Sequence, residues 1–331
     1  MMNLYDDFIE WVERNNLDSI IPTAPSLLDE LTMLDLSKHR LQELPDSIEV
    51  LSNLTVLKIA GNKLTKLPDT IGKLKNLRNI QCNNNLLTEI PESIGELESL
   101  IVVNFSGNKL SALPKSFYNL SHLTRLNLAT NCLKSLDEDM KKLTKLIYIS
   151  LDTNYLKELP DCFGDMESLY FLELSYNQLT TLPDSLSEVE ELETLILEGN
   201  NFKNLKALEV HDMLVRLNLN ENGLTELDFD ISKLEDLQIL SLDSNELTTL
   251  PDSLCELENL KELSLTSNEL SALPDCIGNL ENLEELDLED NELATLPESF
   301  SNLKNLKKLF IADNNSVTVP DMPWLEFCDK G

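Results

Sequence analysis

Three histidines, six cysteines and 59 acidic residues are the side chains of this 331-residue chain that could carry acid–base, nucleophilic or metal chemistry. Catalysis needs such groups to converge. His39, His122 and His211 are scattered, and no nucleophile stands beside a base at a motif spacing. Loops of the G-x-x-x-x-G-K-[ST] or G-x-G-x-x-G type, which cradle phosphates, do not occur. No two cysteines have metal-ligand spacing, so neither a metal nor another cofactor is expected. Cys328 is a candidate nucleophile with no base near it in sequence, and an enzyme is not expected. Recognition chemistry is better represented. Tyr148, Tyr155, Tyr170 and Tyr176 fall close together with Phe171, and Ile196 follows. Rigid rings shed water at small entropic cost, which suits them to binding. Their clustering outweighs the general preference of strands for aromatics. Glu173 and Glu198 lie among them, with Asp287 and Glu289 farther along, and would meet basic side chains of a partner.

A repeat must position these residues. The stretch LTVLKIAGNKLTKLPDTIGKLKN, Leu54 to Asn76, recurs 13 times with its first leucine running from Leu31 to Leu306. Each step is 23 residues, except for the 22 between Leu192 and Leu214. Such a period predicts a solenoid. The opening L-x-x-L-x-L predicts a short strand with alternate side chains inward, paired in parallel with its neighbours. Asn62 begins a series at one position that runs to Asn314, with His39 in the first copy. A carboxamide both donates and accepts, so each is expected to bridge its own turn and the next, and His39 to end the ladder. The second half, L-P-[DE]-S-[IL]-x-x-L, predicts a short helix with proline at its first position and an acid beside its N-terminus.

Outward positions of the strand and following turn are not dictated by the fold. Tyr148, Tyr170 and Tyr176 occupy them, and Tyr155 follows the turn asparagine. Phe171 is expected on the strand next to Tyr148, about 5 Å away. Repeats 2 to 5 place Lys58, Arg78, Asn79, Gln81, Asn83, Asn84, Asn104, Arg125 and Asn127 outward, a polar surface with some positive charge.

The 23-residue period and the "LPxSIGxLxNL" pattern resemble the intracellular leucine-rich repeat family, within it the Ras-suppressor-like class, over residues 31–320. The resemblance implies a curved α/β solenoid, with a parallel sheet on the concave face and short helices on the convex face. It also implies a protein partner on the concave face, and it carries over no catalytic residue. Uniform repeats in a compact layout favour a bacterial source.

Residues 1–30 precede the repeats and predict a helical cap, with Leu4, Phe8 and Trp11 on one helix face. Residues 31–320 form the repeat domain and 321–331 a C-terminal cap or tail. Ser316 stands where leucine belongs, and Val317, Val319, Trp324, Leu325 and Phe327 are expected to fold over the last coil. Repeat 8 loses a residue and carries Lys206 in place of proline, and repeat 9 carries Asp228 there. A longer or reoriented convex element is expected at that point, with a local change of curvature. His211 lies within it, as part of the irregularity rather than as a site.

Neither a secretory leader nor a membrane span is expected. The cysteines lack paired clusters and fit reduced thiols in a cytoplasm. Net charge is −33, unevenly spread. Residues 31–122 hold 9 acidic and 10 basic side chains, a net of +1, whereas residues 237–305 hold 16 and 2, a net of −14. Nucleic acid is therefore not an expected partner. The acidic end either keeps the protein in solution or steers a basic segment. The sequence thus predicts a monomeric, non-enzymatic module that binds a protein across its concave face. The alternative is a bacterial effector or regulatory scaffold acting on a host signalling or ubiquitin pathway.

Overall fold

The computed structural model describes residues 3–315 and 317–329, so the expectation for Ser316 lies outside the described residues. The chain forms two compact units. One runs to Leu156 and includes Asp165–Leu169, and the other comprises Lys157–Gly164 and the chain from Tyr170 onward. The first unit carries β1 (Met33–Asp35), β2 (Val56–Lys58), β3 (Asn79–Gln81), β4 (Val102–Asn104), β5 (Arg125–Asn127) and β6 (Tyr148–Ser150). The second begins with β7 (Phe171–Glu173), β8 (Thr194–Ile196), β9 (Arg216–Asn218) and β10 (Ile239–Ser241). It continues with β11 (Glu262–Ser264), β12 (Glu285–Asp287), β13 (Lys308–Phe310) and β14 (Phe327–Asp329). Within each unit neighbouring strands pair in parallel, as Val56 with Asn79 and Phe171 with Thr194 show. The middle residue of each strand points inward, and Leu57, Ile80, Leu172 and Leu195 are fully buried. Each unit is thus a stack of leucine-rich repeat coils.

The strand ends in a turn that needs left-handed backbone. Gly61 (φ 67°), Asn84 (φ 56°), Tyr176 (φ 51°) and Glu221 (φ 53°) fill that position. Such a φ is unfavourable for residues other than glycine and must be held by surrounding bonds. The following asparagine supplies them. Asn154 Oδ1 accepts from the Leu133 N–H at 3.0 Å, and its Nδ2 donates to Leu128 at 3.0 Å and Leu151 at 2.9 Å. Leu128 and Leu133 belong to the coil before, so the bridge runs backward rather than to the next turn as expected. Asn62, Asn108 and Asn268 repeat the pattern. His39 does not: its Nδ1 donates to the Ser37 carbonyl at 2.9 Å within its own turn.

The opposite side of each coil departs from expectation. The segments after the prolines are 3₁₀ turns, such as Asp69–Lys73 and Glu92–Glu96, rather than α-helices. Ile71 and Leu74 donate to Pro68 and Ile71 at 3.0 and 3.1 Å, an i→i+3 pattern. A 3₁₀ turn rises ~2.0 Å per residue against ~1.5 Å for an α-helix, so five residues span a thin coil. Pro68 (φ −70°, ψ 150°) is the N-cap, not the first helical residue. In repeats 5 and 9, which lack the proline, an acid caps instead: Asp137 accepts from the Asp139 N–H and Asp230 from the Ser232 N–H.

These turns approach closely from coil to coil. A Cβ on Gly72 would lie 2.5 Å from the Ser93 carbonyl oxygen, and Gly95 and Gly278 face Ser116 and Ser299 in the same way. Each pair is 21 residues apart. Cys255 and Cys276 hold the same two positions, also 21 apart, and are joined by a disulfide with Cα atoms 5.8 Å apart. This corrects the expectation of reduced thiols for this pair. Disulfides persist in oxidising surroundings, which sets this pair against the cytoplasmic expectation.

The irregular repeats shorten their turns instead of lengthening them. Lys206–Leu208 and Ile231–Lys233 are three residues each. Losing one residue before Asn222 also costs a ladder bond: its buried Oδ1 has no partner among the described residues. His211 is buried in this stretch, 3% exposed, and burial holds its imidazole pKa below the ordinary range. The hydrogen bond to the Val189 carbonyl and the charge of Asp212 oppose that shift.

At the ends, α1 (Leu4–Arg14) buries Phe8, Trp11 and Val12 but leaves Leu4 47% exposed. It lies against the first 3₁₀ turn. A second, shorter helix, α2 (Pro25–Asp29), leads into β1. Beyond the last repeat, β14 pairs with β13, and the Trp324 indole N–H donates to the Leu303 carbonyl at 2.7 Å. Cys328 is therefore in a strand, opposite Leu309.

Three outcomes are expected. Asn154→Leu strands the Leu133 N–H and the Leu128 carbonyl, which should lower stability by ~1–3 kcal/mol and move the urea midpoint down. An unchanged midpoint would show that the ladder is not structural. Cys255→Gly with Cys276→Ser restores the ordinary glycine–serine contact and removes only the covalent link. It should lose ~3 kcal/mol against the oxidised parent and match the parent in excess dithiothreitol. For His211 the folded pKa lies below the unfolded value of about 6.5, so the unfolded chain binds the proton more readily. Its stabilising contribution is full above that value and fades as pH falls toward the folded pKa. The fall in urea midpoint from pH 7.5 to 5.5 should shrink in His211→Phe.

Candidate protein-binding face

The outward strand and turn residues of the second unit form one hydrogen-bonded line. The Tyr176 hydroxyl donates to Glu198 Oε1 at 2.5 Å, and Asn218 Nδ2 donates to Glu198 Oε2 at 3.1 Å. Asn218 Oδ1 accepts from the Asn220 N–H at 2.8 Å. Asn220 and Asp243 then exchange two bonds: Nδ2 to Oδ2 at 3.2 Å, and the Asp243 N–H to Oδ1 at 2.7 Å. The Ser264 hydroxyl and the Thr266 N–H close the line on Asp243 Oδ1. It arises because equivalent positions in successive repeats stand next to one another.

The line alters proton affinities. Glu198 beside Tyr176 pushes the phenol pKa up to about 12, with burial adding to the effect. The hydrogen bond to Glu193 likewise raises Tyr170. Burial raises the Asp243 carboxyl, as does the charge of Asp287, against the bonds from Ser264, Thr266 and Asn220. Glu289 is raised by burial and by Asp287, Asp329 and Asp313 around it. Negative charge is thus crowded where β12 and β13 end.

The proposed site residues fall in both units. Tyr170 and Tyr176 are exposed in the second, where Phe171 and Glu173 pair with Thr194 and Ile196. Glu173 Oε1 accepts from the Ser175 N–H, and Asp287 Oδ1 from the Glu289 N–H, so both carboxylates are oriented by their own turns. Gly199 makes room for Tyr176: a Cβ there would lie 2.5 Å from the ring. Tyr148 and Tyr155 belong to the first unit. The Arg125 guanidinium lies 4.6 Å from the Tyr148 ring centroid, a cation–π contact. Tyr155 is 51% exposed just past its turn.

The first unit is less uniformly polar than expected. One outward column reads Met33, Val56, Asn79, Val102, Arg125, Tyr148. Its apolar members were legible as outward positions but passed over. Asn104 and Asn127 turn their oxygens onto the Ser106 and Ala129 N–H groups, so part of the expected hydrogen-bonding surface serves its own turns. The sequence also gave no prominence to Asn218, Asn220, Ser264 and Thr266, whose partners lie one repeat away.

Among the described residues no group of three His, Cys, Asp or Glu side chains is placed to hold a metal ion. No helix among them is long and apolar enough to cross a membrane.

Known proteins give the same picture of the coils. A leucine rich repeat family model matches residues 29–87, 75–133, 121–179 and 144–202, and a leucine-rich repeat region model matches 204–309. A solved leucine-rich repeat protein of Leptospira interrogans is 31% identical, with a TM-score of 0.77, covering 93% of this chain and 92% of that one. A plant peptide hormone receptor, RGFR1 in complex with RGF2, is 30% identical with a TM-score of 0.76. There the match covers 92% of this chain and 53% of the receptor. An internalin of Listeria monocytogenes shares the fold, with a TM-score of 0.82 at 22% identity over 99% of this chain and 94% of its own. No curated protein matches the sequence. The fold therefore resembles that of protein-interaction modules, and the chain belongs to the leucine-rich repeat family.

Proposed function

We propose that this protein is a non-enzymatic recognition module that binds a protein partner through its strand face, the concave face by family resemblance. One observation carries the reading: the continuous line from Tyr176 through Glu198, Asn218, Asn220 and Asp243 to Thr266. A face whose polar groups are already held by one another loses little freedom on binding, and preorganisation of this kind raises affinity. Tyr170, Phe171 and Tyr176 supply ring surface at one end of it. Asp287 and Glu289 supply negative charge at the other, which suits a partner segment with lysine or arginine. The receptor that resembles this chain was solved with a bound ligand, which supports a recognition role by analogy.

Peptides selected from a random display library against the parent test the reading. Recovered sequences should be rich in lysine or arginine. Phe171→Ala with Tyr176→Ala should weaken them about thirtyfold, equivalent to ~2 kcal/mol, while leaving the circular dichroism spectrum unchanged. Asp287→Lys with Glu289→Lys should instead slow association and flatten its salt dependence, because exposed charges mainly steer encounter. If the aromatic double variant holds the selected peptides as tightly as the parent does, the strand face of the second unit is not the site.

A further inference from the structure

We infer that the first unit carries a separate docking groove for an acidic segment with an aliphatic side chain. It holds about 540 Å³ and is lined by Arg78, Glu98, Ile101, His122, Thr124 and Lys145, two full cations against one acid. That volume lies in the ~300–1,000 Å³ range of clefts that enclose ligands. Arg78, Ile101 and Thr124 are the residues just ahead of β3, β4 and β5. Their backbones form a ladder, with the Ile101 N–H donating to Arg78 at 2.8 Å and the Thr124 N–H to Ile101 at 2.9 Å. The floor of the groove is therefore rigid.

Charge tells what fits. Some cations of this unit meet acids: Lys75 pairs with Glu96 at 2.7 Å and Lys142 with Asp139 at 3.0 Å. Among the described residues, the side chains of Arg78 and Lys145 have neither an ion pair nor a hydrogen bond. Residues 31–122 hold 10 basic and 9 acidic side chains in a chain of net charge −33, so this groove lies in the part of the chain where an acidic partner meets the least repulsion. His122 is fixed by its Nδ1 donating to the Glu98 carbonyl at 3.1 Å, which leaves Nε2 for a ligand. Between these polar groups Ile101 is only half-buried, and Ile147, bonded to the Thr124 carbonyl, is 43% exposed beside it. A bare anion would need the cations alone. Cations flanking an aliphatic floor match a peptide in which carboxylates alternate with leucine-like side chains. A guanidinium is the better of the two cations for carboxylate geometry, because its donors form a planar fork.

The probe is a fluorescein-labelled, end-blocked hexapeptide alternating glutamate and leucine, followed by anisotropy with the full-length protein. Saturable binding is expected, weakened about tenfold by Arg78→Ala with Lys145→Ala, since each exposed pair contributes modestly. Arg78→Gln alone, which keeps most of the side chain, should weaken it less and guards against a folding effect. The same peptide with glutamine for glutamate should bind poorly. Phe171→Ala with Tyr176→Ala should leave the acidic peptide unaffected, so the two sites fail or stand separately. No saturable binding at millimolar protein, full affinity in the double cation variant, or equal binding of the glutamine peptide would each overturn the proposal. So would displacement of the peptide by a thymidine oligonucleotide at matched charge, which would mark a nonspecific polyanion surface.

Discussion

Within each unit, successive coils are tied by the carboxamide of a buried asparagine, as Asn154 shows: its oxygen takes one backbone N–H and its amide group spans two carbonyls. Three bonds from a single side chain satisfy backbone groups that would otherwise be buried without partners. Because two of those three partners sit in the adjacent coil, the asparagine fixes spacing as well as turn shape. Left-handed residues such as Tyr176 and Glu221 are tolerated in front of it because the turn is held from both sides. Strand register follows. With the turns locked at a constant offset, Leu57 falls opposite Leu34 and Ile80 with no slippage available.

Register then determines the surface. A strand of three residues shows two side chains outward, and equivalent positions in successive coils come within bonding reach. Asn218, Asn220 and Asp243 are unremarkable in isolation, yet stacked they become a line of mutual donors and acceptors. The same stacking buries Glu289 and crowds it with Asp287, Asp313 and Asp329, and burial first, then those charges, push its carboxyl pKa up. A repeat protein in this way turns composition at one position into a one-dimensional field along a face.

Departures from the repeat show how tightly the stack is specified. One residue fewer before Asn222 leaves its carbonyl oxygen without the N–H that Asn154 and Asn245 receive. Repeat 8 has a three-residue turn and places an imidazole in the core, where burial disfavours its charged form. On the turn side, adjacent coils come so close at Gly72, Gly95 and Gly278 that a Cβ there would meet the facing serine. At one point two cysteines occupy that contact and are bonded through it.

The period of 23, the L-x-x-L-x-L strand and the asparagine series determined the coil, its parallel pairing and its buried leucines, because these are local patterns repeated without interruption. Outward positions were likewise legible, since alternation assigns them residue by residue. The turn type was not: a proline followed by an acid is compatible with an α-helical first turn or a 3₁₀ turn. Only the distance to be spanned across the coil decided for the latter. Contacts between coils were also hidden. Cys255 and Cys276 look unrelated until a 21-residue offset is known to bring their Cα atoms to 5.8 Å. Tyr176 and Glu198, 22 apart, meet for the same reason, as do Arg125 and Tyr148, 23 apart on neighbouring strands. The sequence by itself determined what each coil is, because its forces act within a few residues. Tertiary structure alone decided which side chains meet, because those contacts depend on how one coil is set against the next.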